Sequence, residues 1–205
     1  MSEKPMARRI LEVTLELIDE NHGLTGVDLR KISRALGCAH TNIYNYFDSY
    51  PDLLWHTLVE AVERLVNHTE MEMAKTRRKR DAFRVFIGSQ IDFAQAHPGW
   101  YRFIWMEPLP GAPRENLVPK LAQPAADFAR HLAAIAPAAV PATAIARAAD
   151  IVHGYLHGVL SRLVAGRYIQ GVGPELREKI IADAELVFQL LCAETTSSKK
   201  GTKRQ

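Results

Sequence analysis

The chain has 205 residues, 47% of them hydrophobic, and a formal net charge of +3. That is enough apolar material for two cores and too much for an unfolded chain, while the charge is too small to imply nucleic acid by itself. No apolar run is long enough to cross a bilayer, no charged start leads into an apolar signal core, and Cys38 and Cys192 stand far apart without partners at metal spacing; the expectation is a cytoplasmic protein with reduced thiols and no membrane contact.

Met1 to Pro5 reads as a loose arm. A first helix then runs to about Asn21, with Ile10, Leu11, Thr14, Leu17 and Ile18 facing inward. The stretch Val27 to Phe47 divides into two short amphipathic helices hinged at Gly37. Asp28 caps the first, Leu29, Ile32 and Leu36 recur at helical spacing, and Gly37 suits the left-handed end of a helix. The second, roughly His40 to Tyr46, is far more polar and is anchored by Ile43 and Phe47, four apart. Two helices joined by a tight glycine turn, the second rich in Asn, Thr, His and Tyr, describe a DNA-reading helix-turn-helix. Asparagine pairs bidentately with adenine and threonine touches a thymine methyl, so His40, Thr41, Asn42 and Asn45 are the candidates for base edges. Arg30, Tyr44, Tyr46 and Tyr50 are the candidates for phosphates.

Asp48 and Ser49 can cap, and Pro51 can open, a long helix through Leu53, Leu54, Leu58, Val62 and Leu65. The basic run Lys75 to Arg80 reads as a solvated helix end or loop. A helix carrying Phe83, Phe86, Ile87, Ile91 and Phe93 closes at His97-Pro98-Gly99. The densest aromatic segment follows, Trp100 to Met106, as core packing, as the lining of an effector cavity, or as both. After a proline-rich loop, Glu107 to Pro113, helices are expected over about Arg114–Ala136, Ala142–Gly166 and Pro174–Cys192. The expected divisions are a head over 1–50, a connecting helix over 51–80, a second, larger helical domain over 81–194, and a disordered basic tail over 195–205.

Ile32-Ser33, Gly37, Ile43-Tyr44, Tyr46-Phe47, Ser49 and Leu53-Leu54, preceded by Ile10-Leu11, Leu17-Ile18 and Gly23, resemble the DNA-binding domain of TetR-type transcriptional regulators over about the first sixty residues. The resemblance implies an all-α protein: a three-helix head on a larger helical domain whose last two helices pair across a two-fold axis. It further implies a homodimer that binds a pseudo-palindromic double-stranded operator, most often as a repressor, and a small apolar or aromatic effector that releases it. Trp100, Tyr101, Phe103, Trp105 and Phe128 are the candidates for that effector's apolar contacts, with His131, His153 and His157 as polar anchors. Gly154 and Gly158, four apart, suit close helix approach. Phe93-Ala94 through Arg102 and His157-Gly158 resemble the subgroup with a Trp-His-Gly-like effector domain, although the tryptophan is missing.

Against the family pattern, Asp28 replaces a hydroxyl residue, Ala39 a serine and Tyr50 a lysine, each change lowering expected DNA affinity. The alternative is therefore a ligand-binding helical dimer with impaired or lost DNA binding. No phosphate loop, zinc-spaced cysteine pair or nucleophile elbow occurs, so no catalytic residue, cofactor or metal is expected. His153 and His157 share a helical face, but two histidines without a third ligand do not make a zinc site.

Overall fold

A computed structural model describes residues 3–168 and 173–201, with side chains described over 6–78, 80–168 and 173–194. Every regular element among the described residues is helical: α1 (Glu3–Glu20), α2 (Leu29–Leu36), a 3-10 recognition helix (His40–Asn45), α3 (Tyr50–Ala74), α4 (Ala82–Ala96), α5 (Pro98–Trp105), α6 (Val118–Ile135), α7 (Ala142–Val164) and α8 (Pro174–Gly201), with short 3-10 turns at Lys79–Asp81 and Glu115–Leu117. The all-α expectation holds.

The chain divides into two compact units, the first comprising Met1–Leu65 and Phe93–Gln123, the second Val66–Asp92 and Pro124–Gln205. This is not the expected division at residues 50 and 80, because the core of the first unit draws on residues far along the chain. Ile10, Ile18, Ile32, Ile43 and Leu53 share that core with Phe93, Trp100 and Phe103. α1 and α5 meet so closely that a Cβ on Gly99 would stand 2.4 Å from the Ile18 carbonyl oxygen and 2.5 Å from the Asp19 Cα; only glycine fits. Asp19 holds the start of α5, accepting from the Gly99 amide at 3.0 Å and lying 2.7 Å from His97 Nδ1.

In the second unit α7 and α8 form the main helix pair. Val152, Leu156 and Leu160 on one and Ile180, Ala184 and Phe188 on the other are buried. Phe83 of α4 stacks on Phe188 with ring centroids 5.5 Å apart. Arg177 grips Asp92 with two bonds of 3.1 and 2.9 Å, and the Tyr155 hydroxyl donates to Asp183 at 3.3 Å.

Helix ends differ from expectation where local chemistry decides them. α6 begins at Val118 rather than Arg114, after a single 3-10 turn, and continues through Pro124. α1 already begins at Glu3, within the stretch read as an arm, and Met1 and Ser2 lie outside the described residues. α8 continues beyond Cys192, through Gly201, into the stretch expected to be a disordered tail; 202–205 lie outside the described residues.

Candidate nucleic-acid interface and a cavity in the second unit

Asp28 stands before α2 in extended conformation, and its Oδ1 accepts the Lys31 amide at 2.8 Å. Gly37 ends α2 at φ 67°, and the amides of Gly37 and Cys38 bond back to the carbonyls of Arg34 and Ser33 at 3.1 and 3.0 Å. Ile32 and Ser33 are buried, whereas Arg30 and Arg34 are exposed. The turn therefore fixes where the next six residues start.

Those six residues form a 3-10 helix rather than the expected α-helix. Asn42 N bonds to Ala39 O at 2.9 Å and Tyr46 N to Ile43 O at 3.0 Å, while Ala39 at the N-cap offers no side-chain bond. Ile43 and Phe47 are buried and hold the helix down. His40, Thr41, Tyr44 and Asn45 are exposed, and Asn42 and Tyr46 are half-buried. Asn45 Nδ2 donates to Asn42 Oδ1 at 2.9 Å, which aligns the two amides yet leaves Asn45 with a second N–H and its carbonyl oxygen.

Tyr50 is not available as expected. Its hydroxyl donates to the Val27 carbonyl at 2.6 Å, tying the start of α3 to the entry of α2, and burial, followed by the Asp28 charge, pushes its pKa up. The proton expected to reach a phosphate is committed within the chain.

Residues that the sequence did not single out complete the head. Arg114 donates from Nε and Nη2 to the two oxygens of Asp52 at 2.7 Å each, and from Nη2 to Asp48 at 2.6 Å. Asp52 in turn accepts the Asp48 amide at 3.0 Å, so a buried carboxylate organises the turn after the recognition helix. On the other side, Glu107 Oε2 accepts the Leu24 amide at 2.8 Å, and Trp55 Nε1 donates to the Pro110 carbonyl at 3.1 Å. The segment from Glu107 to Arg114 is thus pinned on both flanks of the helix-turn-helix. Its proline content signals a loop, but nothing in the sequence pairs its charges with partners more than 50 residues away.

The eight effector candidates fall in two different units. Trp100, Tyr101 and Phe103 are buried in the first, and Trp105 is half-buried against the same core. Trp100 donates Nε1–H to the Leu15 carbonyl at 2.8 Å, stacks on His97 at 3.8 Å and carries the Arg64 guanidinium 5.0 Å from its ring centre. These are the contacts of a core residue.

The other four belong to the second unit and are brought together around Phe86. Phe86 lies 4.9 Å from Phe128 and 4.7 Å from His131, Phe128 lies 5.1 Å from His153, and His153 lies 6.4 Å from His157. His131 Nε2 is 3.1 Å from Glu70 Oε1, and His157 Nε2 is 3.3 Å from Ser161 Oγ. Burial lowers the pKa of His131, reinforced by Arg130, and that of His153, reinforced by His157. Among the described residues no group of three or more His, Cys, Asp and Glu side chains is placed to hold a metal ion.

The same unit holds a cavity of about 660 Å³ with other walls: Phe83, Ile135, Val140, Phe188 and Cys192, with Arg80, Glu185 and Gln189 as polar members. No pattern in the sequence joins these positions, which come from three separate segments, 80–83, 135–140 and 185–193.

Residues 83–184 match the family model described as the tetracyclin repressor-like C-terminal domain. A curated relative, the nucleoid occlusion factor SlmA of Haemophilus ducreyi, is 25% identical over 104 residues, covering 50% of this chain and 51% of that protein, so the chain spans about half the length of the curated relatives it matches. A TetR transcriptional regulator from Rhodococcus sp. RHA1 superposes with a TM-score of 0.60 at 20% identity, covering 90% of this chain and 97% of that one. FadR from Bacillus subtilis, solved in complex with stearoyl-CoA, gives the same TM-score and coverages at 16% identity. Neither the family model nor these relatives' descriptions name a Trp-His-Gly subgroup. The chain has the fold of the TetR-type transcriptional regulators, and its residues 83–184 are similar to their C-terminal domain.

Proposed function

We propose that this protein is a homodimeric transcriptional repressor that holds a pseudo-palindromic operator and lets go when a small, mostly apolar effector occupies the second unit. The observation that carries the reading is the head: a capped α2, a left-handed Gly37 and a recognition helix anchored by Ile43 and Phe47 that leaves His40, Thr41, Tyr44 and Asn45 in solvent. In this reading Asn45, Asn42, Thr41 and His40 meet base edges, and Arg30, Tyr44 and Tyr46 meet phosphates. Tyr50 braces the head. Dimerisation is supported by Ile151, Leu186 and Leu190, which are 39, 55 and 58% exposed on α7 and α8, and by Gly154 and Gly158, whose surroundings would accept an added Cβ without contact. An apolar effector is supported by the cavity and by the stearoyl-CoA bound in a structural neighbour.

The alternative, a ligand-binding dimer that no longer reads DNA, draws on the uncapped Ala39 and the committed hydroxyl of Tyr50. Selection of duplexes from a random pool, followed by mobility-shift titration, separates the two. Enrichment of a palindromic sequence with half-sites one helical turn, or a multiple of it, apart is the expected result. Failure to enrich any sequence from a verified dimer would establish the alternative.

A further inference from the structure

The basic run Lys75, Arg77, Arg78, Lys79, Arg80 belongs to the second unit. Its last member lines the 660 Å³ cavity. The interior of that cavity is apolar, with Phe83 and Phe188 stacked at 24° to form a flat wall and Val140 and Cys192 buried beside them. Burial pushes the Cys192 thiol pKa up, so this group stays neutral. Of the two charged side chains that line the cavity, Glu185 lies 3.8 Å from Arg84, a guanidinium it shares with Glu178, whereas Arg80 is 74% exposed with the Asp81 carboxylate 3.7 Å away. An apolar space of this size with a cation at its edge favours a molecule that is apolar along most of its length and negatively charged at one end.

We propose that this cavity is the effector site, and that its ligand is an anionic amphiphile whose apolar body lies against Phe83 and Phe188 and whose acidic head meets Arg80. The assignment rests on the effector-responsive reading above and adds to it a place and a charge. A carboxylate and a phosphate monoester share the required chemistry. Dodecanoate and dodecyl phosphate therefore serve as two anionic probes, with dodecanol and dodecyltrimethylammonium as neutral and cationic controls.

The chain's two cysteines make the site directly readable. In full-length protein carrying Cys38→Ser, Cys192 is the sole thiol, and its rate of labelling by N-ethylmaleimide reports occupation of the cavity. Saturating dodecanoate or dodecyl phosphate is expected to slow labelling, and whichever anion does so at the lower concentration identifies the head group the site prefers. Exposed Arg80→Gln should weaken the anionic probes about fivefold, as befits a solvent-screened ion pair, and leave dodecanol unchanged. Calorimetry that detects no binding of either anion, or binding that leaves Cys192 labelling unaltered, overturns the site. Equal protection by dodecanol overturns the charge assignment. Protection of Cys192 with no change in affinity for the selected operator upholds the site and its ligand class while overturning the effector reading of it.

Discussion

The two units finish their surfaces differently. In the first, apolar residues of six helices share one buried core, and polar pins complete the job: Asp19 at the start of α5, Glu107 at the Leu24 amide, Arg114 across Asp48 and Asp52. In the second, α7 and α8 bury one face against their own chain and leave Ile151, Leu186 and Leu190 in solvent, beside a cavity. The large apolar groups that the first unit leaves in solvent among the described residues, Tyr44, Met106 and Val118, stand on three separate segments. The second has apolar surface to spare, which is what a unit that takes partners needs.

The largest expected effect attacks that spare surface. Leu186→Glu with Leu190→Glu should give a folded monomer by sedimentation and weaken operator binding by at least about a hundredfold, because one head loses the effective concentration supplied by the other. A dimer that persists would put the spare surface to some other use. Leu160 is 2% exposed and buried within its own chain, so charging it would unfold the unit and test nothing about assembly.

Next comes the closed unit. Trp100→Ala removes a core ring together with its bond to Leu15, and should cost about 3 to 5 kcal/mol in denaturant unfolding. If Trp100 served a ligand instead, stability would hardly change. Gly99→Ala should be milder, about 1 to 3 kcal/mol, the strain of moving α5 off the α1 backbone.

Finer tests concern how the head reads. Asn45→Ala should cost about 1 to 3 kcal/mol and relax one position per half-site in the selected sequence, whereas Tyr44→Phe should weaken all duplexes alike. A uniform loss from both would place Asn45 on the backbone of the DNA. The smallest change is Ala39→Ser. It restores a side-chain cap to the recognition helix, worth about 1 kcal/mol, and should tighten operator binding by up to the corresponding few-fold. Tyr50→Lys, in contrast, should destabilise the head, since the new ammonium gives up the Val27 bond; a rise in affinity with unchanged stability would restore Tyr50 to the phosphate-facing set.

Much of the head was legible because its signals are local. Asp28 and Gly37 act on residues three or four positions away, and the spacing of Ile32, Leu36, Ile43 and Phe47 fixes which sides face inward. The 3-10 character of the recognition helix was not, since a six-residue segment without a cap has too few bonds to force either geometry. The pins from Glu107 and Arg114 were illegible for a different reason: each is one charge among 49 in the chain, and its partner is set by tertiary packing. Aromatic density at Trp100 to Trp105 announced burial but not in which unit. The cavity was not legible, because three segments contribute its walls and only the spacing of Glu185, Phe188, Gln189 and Cys192 marks one helical face, with nothing to say what lies opposite it.

Since the first unit is built from Met1–Leu65 and Phe93–Gln123, its core lacks Phe93, Trp100 and Phe103 until about half the chain has been synthesised. On the ribosome the reading head has to wait, partly formed, while the intervening residues emerge. The same arrangement bears on engineering. A fragment ending after the recognition helix would carry every residue proposed to touch DNA and lack most of what holds them in place, so swapping heads between relatives requires moving the α5 region and the segment through Arg114 as well.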